Sequence, residues 1–153
     1  MQRTRFGDLA PCSIARTLDV IGEPWSPLIL RDVYAGITRF DQIQADLGIS
    51  RKVLTERLKW LVDSEVLERR RYQDRPPRDE YLLTDKGTEL VDLLMVMVAW
   101  GDRWADDAGA GAPVLYRHRA CGEISHVELR CAHCGTTMRA DDVDLLDGPG
   151  AGS

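Results

Sequence analysis

The 153-residue sequence predicts a mainly helical α+β fold, with a two-stranded hairpin before the longest helix and a small cysteine-containing β unit after it. Three observations support this fold class. Apolar residues recur at helical spacing, a proline-rich loop separates two strand-like runs, and a glycine-rich hinge precedes paired cysteines. The predicted domains are 8–107 for the helical part, 113–147 for the small unit and 148–153 for a disordered tail.

The composition is that of one globular domain with a small appendage, because 44% of the residues are hydrophobic and the chain is short. No segment approaches the roughly 20 apolar residues of a membrane span. The N-terminus carries Arg3, Arg5 and Asp8 where a signal peptide would be apolar. We therefore expect a cytoplasmic protein that has no membrane partner.

Four helices are predicted before the hairpin. Apolar spacing predicts the first over residues 11–21, and the second begins near Pro27, because proline suits a first helical turn. Thr38 resembles the start of a capping box that opens a short third helix, which Gly48 ends. Ser50 caps the fourth helix, whose apolar side consists of Leu54, Leu58 and Leu61.

The hairpin and the last long helix follow. Strands are predicted at 67–72 and 79–83, joined by a loop at 73–78 that is too rich in proline to belong to either strand. Thr84 caps a helix over residues 85–106. Its apolar residues cover more surface than one core face requires, so we expect a second copy of the chain to cover the excess.

Charge is unevenly distributed along the chain. The net charge is -5, yet residues 69–78 contain five arginines against one acid, whereas residues 101–153 contain nine acids against five basic residues. The overall charge argues against nonspecific nucleic-acid binding. A local basic patch on an acidic protein is instead compatible with targeted contact to double-stranded DNA.

Two helices joined by a short turn and followed by a basic hairpin occur in this order in a winged helix-turn-helix. The first turn of the fourth helix would enter the major groove, and the hairpin tip would reach the minor groove or the phosphate backbone. The candidate DNA-binding residues are Thr38, Arg39, Ser50, Arg51, Lys52, Thr55, Arg57, Arg75 and Arg78.

Other interpretations of these segments exist. The fourth helix could be merely amphipathic, with its charges solvated, or the winged helix could be a protein-interaction module that binds no specific DNA. Weakening of DNA affinity by salt would distinguish DNA binding from protein interaction. An enzyme is not expected, because no nucleophile with an obvious base is found and no metal site would keep an open position.

Motifs spread over residues 11–104 resemble the HxlR-type regulators, relatives of the MarR group. The resemblance rests on Cys12-Ser-Ile-Ala-Arg-Thr-Leu-Asp-Val-Ile-Gly22, Trp25, Leu28-Ile-Leu-Arg31, Arg39-Phe40, Leu54-Thr-Glu-Arg57-Leu58, Arg78-Asp-Glu-Tyr81 and Leu83-Thr-Asp-Lys-Gly87. It implies a homodimer, joined through the first and last helices, that binds a pseudo-palindromic operator and regulates nearby genes. The turn at residues 23–27 departs from the usual glycine-rich version in this family.

Two C-terminal segments, 118–122 and 131–135, repeat one pattern. Each has a histidine or cysteine that can bind a metal, then two other residues, a cysteine and a glycine. This pattern resembles a zinc ribbon, and glycine after the second ligand tolerates the backbone twist that such a turn needs. The predicted ligands of a structural zinc ion are His118, Cys121, Cys131 and Cys134. His126 or His133 could replace His118, and an empty site with free thiols or a disulfide is the alternative.

Cys12 stands at the predicted start of the first helix. Unpaired backbone N–H groups at such a position favour a thiolate, which oxidants and electrophiles modify more readily than an ordinary thiol. Some members of the resembled family sense electrophiles or disulfide stress through a cysteine here. The resemblance therefore makes Cys12 a candidate redox sensor. The alternatives are a small buried cysteine beside the dimer interface and a regulator that responds to a small-molecule effector.

Overall fold

The computed structural model describes residues 12–106 and 109–150. Internal contacts divide the chain into two compact units, one up to Asp92 and one from Leu93 onward, so the division falls within the longest helix. The domain limits 8–107 and 113–147 stay predictions, and the predicted tail at 148–153 lies partly outside the described residues. Within the described ranges, no helix has the length and apolarity needed to cross a membrane.

The first unit opens with helices α1 (Ser13–Ile21) and α2 (Trp25–Tyr34). Helix α1 ends at its C-cap Gly22, where a side chain would collide with the carbonyl oxygen of Leu18. Helix α2 begins slightly earlier than predicted, because Pro24 already has helical backbone angles. Ile29 in α2 is fully buried, in agreement with the apolar character of this helix.

Helices α3 (Phe40–Leu47) and α4 (Arg51–Asp63) form the predicted helix-turn-helix. Gly48 has a φ of 63°, a left-handed conformation that glycine adopts without steric cost. Ser50 is the N-cap of α4, and its hydroxyl accepts a hydrogen bond from the backbone N–H of Val53 at 3.3 Å. The two helix ends therefore follow the sequence signals.

The capping box predicted at Thr38 does not form. Arg39 is the N-cap residue of α3 and makes no side-chain cap. The Thr38 hydroxyl instead donates to the Glu80 carboxylate at 3.4 Å, and its carbonyl accepts from the backbone N–H of Tyr81 at 2.8 Å. Pairing with the hairpin replaces the local cap because it satisfies backbone groups of both segments.

The hairpin consists of antiparallel strands β1 (Leu67–Asp74) and β2 (Pro77–Leu83). Pairing extends to Asp74 opposite Pro77, so most of the segment predicted as loop belongs to the strands. Proline is compatible with this position because the first residue of a strand need not donate to the ladder. Only Arg75 and Pro76 remain unpaired at the tip of the hairpin. The whole hairpin, residues 67–83, is hereafter called the wing.

Helix α5 (Asp85–Trp104) follows the wing and crosses from the first unit into the second. Thr84 caps it, as predicted, by accepting a hydrogen bond from the N–H of Gly87 at 3.1 Å. The helix ends two residues before the predicted limit. Asp106 lies outside it, and its carboxylate accepts backbone hydrogen bonds from Ala110 at 3.0 Å and Gly111 at 2.8 Å.

Apolar side chains from α2, α3, α4 and β1 form the core of the first unit. Its largest fully buried apolar members are Ile29, Leu30, Ile43, Leu54, Leu58, Leu61, Val66 and Leu67. Asp32 is also buried and accepts from the Arg31 guanidinium at 2.9 Å. Burial raises the pKa of Asp32 in spite of this neighbouring charge.

The second unit contains a short hairpin formed by β3 (Tyr116–Arg117) and β4 (Ile124–Ser125), followed by a 3₁₀ turn at Ala140–Asp142. None of the described residues from 109 to 150 is buried. These residues form regular hydrogen-bonded turns without a hydrophobic core of their own.

Candidate nucleic-acid interface

The start of α4 presents polar and basic side chains to solvent. Arg51, Lys52 and Thr55 are exposed, whereas Leu54 on the opposite side is fully buried. The Thr55 hydroxyl donates to the carbonyl of Arg51 at 2.8 Å. This arrangement leaves one turn of helix able to approach base edges and phosphates in a major groove.

All three arginines of β1 are paired with acids on β2. Arg69 donates to Asp79 at 2.8 Å, and Arg71 donates to the other oxygen of the same carboxylate at 3.2 Å. Arg70 donates to Glu80 at 2.9 Å. These pairs neutralise the centre of the wing, so the arginine-rich run is much less basic than its sequence indicates.

The pKa of the Asp79 carboxyl group is changed by the neighbouring arginines of β1. Hydrogen bonding from Arg69, and then from Arg71, lowers the pKa of Asp79 below its ordinary value. The same pairing raises the pKa of Arg69. Asp79 therefore stays ionised to more acidic pH than an ordinary aspartate and holds both guanidinium groups.

The wing tip keeps two arginines that are free of carboxylates. Arg75 and Arg78 are exposed, and neither makes an ion pair within the described part of the chain. Arg75 lies at the turn, and Arg78 is the second residue of β2, opposite Gln73. Their positive charges are available to neutralise phosphates.

A groove of about 380 Å³ lies between the helix-turn-helix and the wing. Two cations on its lining stack on aromatic rings: the Arg39 guanidinium lies 4.6 Å from the centre of the Tyr72 ring, and that of Arg51 lies 4.8 Å from the centre of the Phe40 ring. Stacking orients a guanidinium while leaving its N–H donors free. Asp41 and Asp79 also line the groove, and Asp79 is already paired with arginines of β1. The donors of Arg39 and Arg51 can therefore receive an anionic group such as a phosphate.

Two predicted site residues are turned toward other partners. Arg57 lies on a different side of α4, with a side chain 24% exposed and a nitrogen 3.9 Å from the Glu23 carboxylate. Thr38 is half-buried and bonded to Glu80. The groove lining includes Arg39, Arg51 and Arg78 but neither of these two residues.

This geometry has a counterpart among known proteins. The family model described as HxlR-like helix-turn-helix matches residues 20–108, which is more than half of the chain. The chain belongs to the HxlR-like helix-turn-helix family. It is a DNA-binding transcription regulator with a winged helix-turn-helix fold.

Individual HxlR-like relatives support this assignment. The chain is 39% identical over 138 residues to Rv3095, named an HTH-type transcriptional regulator, of Mycobacterium tuberculosis; the match covers 90% of this chain and 87% of the relative. The crystal structure of PA1607, proposed to be a transcription factor, superposes with a TM-score of 0.80 and 34% identity over 92% of this chain and 98% of that one.

A third relative is similar to the DNA-binding part. The oxidized form of HypR, named a redox regulator, has a TM-score of 0.56 and 31% identity, with 60% of this chain and 96% of that chain covered. The match with PA1607 covers more of this chain than the match with HypR does. The C-terminal extension is therefore not shared by all structures of similar fold.

The predicted metal ligands lie in two turns of the second unit. His118 Nδ1 is 3.3 Å from Cys121 Sγ, and Cys134 contacts Cys131 and Thr136. Among the residues that the structure describes, no three metal-binding side chains gather around one point. Cys12, the candidate sensor, is an exposed free thiol directly before α1.

The residues that organise the cations of this interface were not predicted from the sequence. Phe40 and Tyr72 were not identified as stacking partners, and Asp79 and Glu80 were not identified as counter-ions. Prediction of a two-residue turn at Arg75 and Pro76 would have set the strand register. That register places Asp79 and Glu80 opposite the arginines of β1, so it was the available signal. No sequence signal pairs Arg39 with Tyr72, because the contact joins separate elements.

Proposed function

We propose that this regulator binds a pseudo-palindromic operator as a homodimer, with α4 of each copy in the major groove and each wing on the adjacent minor groove or backbone. The observation that carries the proposal is the distribution of free cations. Five cations at the starts of α3 and α4 and at the wing tip make no ion pair among the described residues. The arginines in the middle of β1 are instead neutralised by acids of β2. The free cations are Arg39, Arg51, Lys52, Arg75 and Arg78.

Exposed apolar side chains on two helices support the dimer. On α1, Ile14 is 72% exposed and Leu18 is also exposed. On α5, Trp100 and Trp104 are 64% and 68% exposed, and Met97 is exposed as well. Burial of such large apolar side chains between two copies would contribute a substantial driving force for association.

The test is a gel shift with DNA from upstream of the protein's own gene, in the presence of excess nonspecific DNA. We expect a discrete shifted band that weakens with rising salt, because bound phosphates release counterions. Arg51→Ala should weaken binding by about tenfold and Lys59→Ala should not, since Lys59 is already paired with Asp63 at 2.5 Å. Equal binding by both variants, or a shift removed by competitor DNA, would contradict the proposed docking.

We also propose that modification of Cys12 changes operator affinity. The thiol is exposed next to the exposed apolar side of α1, and the similar protein HypR is named a redox regulator. A thiol-alkylating electrophile, which forms one carbon–sulfur bond to a single thiolate, should alter DNA binding by the wild type and by Cys134→Ser, but not by Cys12→Ser. A response that survives Cys12→Ser would assign the signal to another thiol or to a small-molecule effector.

A further inference from the structure

The C-terminal extension is ordered without a hydrophobic core. Between residues 109 and 150 no described side chain is buried, and Val114, Leu115, Ile124 and Leu129 are all more than half exposed. Units of this size rarely fold on apolar burial alone and usually depend on a disulfide, a metal ion or a partner. The four cysteines of the chain are all free thiols, so a disulfide does not supply this stability.

Two turns of this unit share one backbone geometry. In the first, the N–H of Gly122 donates to the carbonyl of His118 at 2.7 Å, and the N–H of His118 donates to the Glu123 carbonyl at 2.9 Å. In the second, Gly135 donates to Cys131 at 2.8 Å, and Cys131 donates to the Thr136 carbonyl at 2.9 Å.

The glycines of both turns are left-handed, with φ of 79° at Gly122 and 74° at Gly135. In each turn the residues at the first and fourth positions can bind a metal. Such a turn places two side chains on one side of the backbone, as the ligand pairs of structural zinc sites require. Its occurrence twice within 18 residues distinguishes it from an isolated cysteine pair.

The first pair already has the spacing of two zinc ligands. His118 Nδ1 and Cys121 Sγ are 3.3 Å apart. Zinc–nitrogen bonds of about 2.0 Å and zinc–sulfur bonds of about 2.3 Å at a tetrahedral angle separate the two ligand atoms by roughly 3.5 Å. The pair can therefore bind one ion without rearranging its own turn.

We propose that one Zn²⁺ ion joins the two turns through His118, Cys121, Cys131 and Cys134. The pairs lie on separate turns and do not yet surround a common point, so the ion would draw the turns together. On binding, the three thiols lose their protons to solvent and His118 binds as the neutral imidazole. All four positions would be filled by protein, which makes the ion structural, with no site for a reactive water.

The first experiment is the metal content of the full-length protein, purified without added chelator and measured by elemental mass spectrometry. We expect about one zinc per chain. Substitution by Co²⁺ should give the visible bands of a tetrahedral site and the intense thiolate charge-transfer absorption of three sulfur ligands. Protein that contains no zinc and gives no such spectrum on titration with Co²⁺ would overturn the proposal.

Variants identify the ligands. Cys121→Ser and Cys134→Ser should each lose at least 90% of the bound zinc, whereas Cys12→Ser, His126→Ala and His133→Ala should keep it. Retention of zinc by the first two, or its loss from Cys12→Ser, would overturn the assigned ligand set. The wild-type metal content decides the existence of the site even if a ligand variant does not fold.

A second measurement addresses the role of the ion. Removal of zinc should speed proteolytic cleavage within residues 109–150 several-fold, and added zinc should reverse the effect. If a second copy of the chain covers the apolar side chains instead, the protein contains no zinc and chelator leaves the cleavage rate unchanged. That result would overturn the proposal.

Discussion

The positions of individual guanidinium groups decide which charges of this regulator can meet DNA. Arg39 and Arg51 each lie over an aromatic ring and make no ion pair among the described residues. A ring orients the side chain by cation–π attraction without occupying its hydrogen-bond donors, whereas a carboxylate occupies the donors and cancels the charge. We infer that Phe40 and Tyr72 are positioning residues for phosphate contacts.

The stacking role of Phe40 can be separated from charge. Phe40→Leu keeps an apolar side chain and every charge, so we expect operator affinity to fall about three- to tenfold, with no change in its salt dependence. Arg51→Ala should instead flatten the salt dependence by about one unit. Fluorescence anisotropy over a range of salt concentrations measures both quantities, and a changed slope for Phe40→Leu would contradict a purely positioning role.

At the scale of elements, the wing is a charge-balanced hairpin with a cationic tip. Asp79 and Glu80 on β2 hold the arginines of β1, so among the described residues the unpaired arginines of this element lie at its tip. This balance limits nonspecific attraction to DNA, since unpaired arginines would bind phosphates of any sequence. Specific and nonspecific affinity can therefore be changed separately in this element.

Asp79→Asn tests the balance. The substitution removes the carboxylate that holds Arg69 and Arg71, so nonspecific DNA affinity should rise at least threefold and its salt dependence should steepen by one to two units, on the scale of about one unit per added phosphate contact. Glu68→Gln on β1 makes the same change in net charge and is the control. An equal effect in both variants would indicate net charge alone rather than release of the two arginines.

Two glycines of α5 have different roles. A side chain on Gly87 would collide with the carbonyl of Val66, where the helix start passes the end of α4 and the beginning of β1, whereas Gly101 has open space around its Cβ position. Gly87→Ala should therefore destabilise the protein by roughly 1–3 kcal/mol, the usual range for overpacking. Gly101→Ala should stabilise it by about 0.5–1 kcal/mol through helix propensity. Chemical denaturation measures both changes, and similar effects of the two substitutions would contradict the packing argument.

The order and ends of the elements followed from the sequence to a large extent. The caps at Ser50 and Thr84 and the end of α3 at Gly48 are confirmed, because these signals act within a few residues of the chain. The capping box at Thr38 and the length of the wing loop were wrong. Both depended on pairing between β2 and distant segments, which local preferences do not determine.

For the whole molecule, the exposed tryptophans of α5 point to assembly. Trp100→Glu should convert the proposed dimer into a monomer, because a charge cannot be buried unpaired in an apolar interface. We expect DNA affinity to fall more than tenfold in the same variant, since each copy would bind only one half-site. Analytical ultracentrifugation and gel shifts measure the two effects, with Glu89→Gln on the same helix as the control. A monomeric variant with wild-type affinity would contradict binding as a dimer.

The sequence by itself determined the order of the helices and strands, the caps at Ser50 and Thr84, the buried side of α4 and the family of the protein. These features depend on side-chain periodicity and on contacts within a few positions of the chain. Only the tertiary structure decided which arginines are neutralised, which are stacked and which are free. Those properties depend on distances of about 3–5 Å between side chains from different elements, which strand register and packing set.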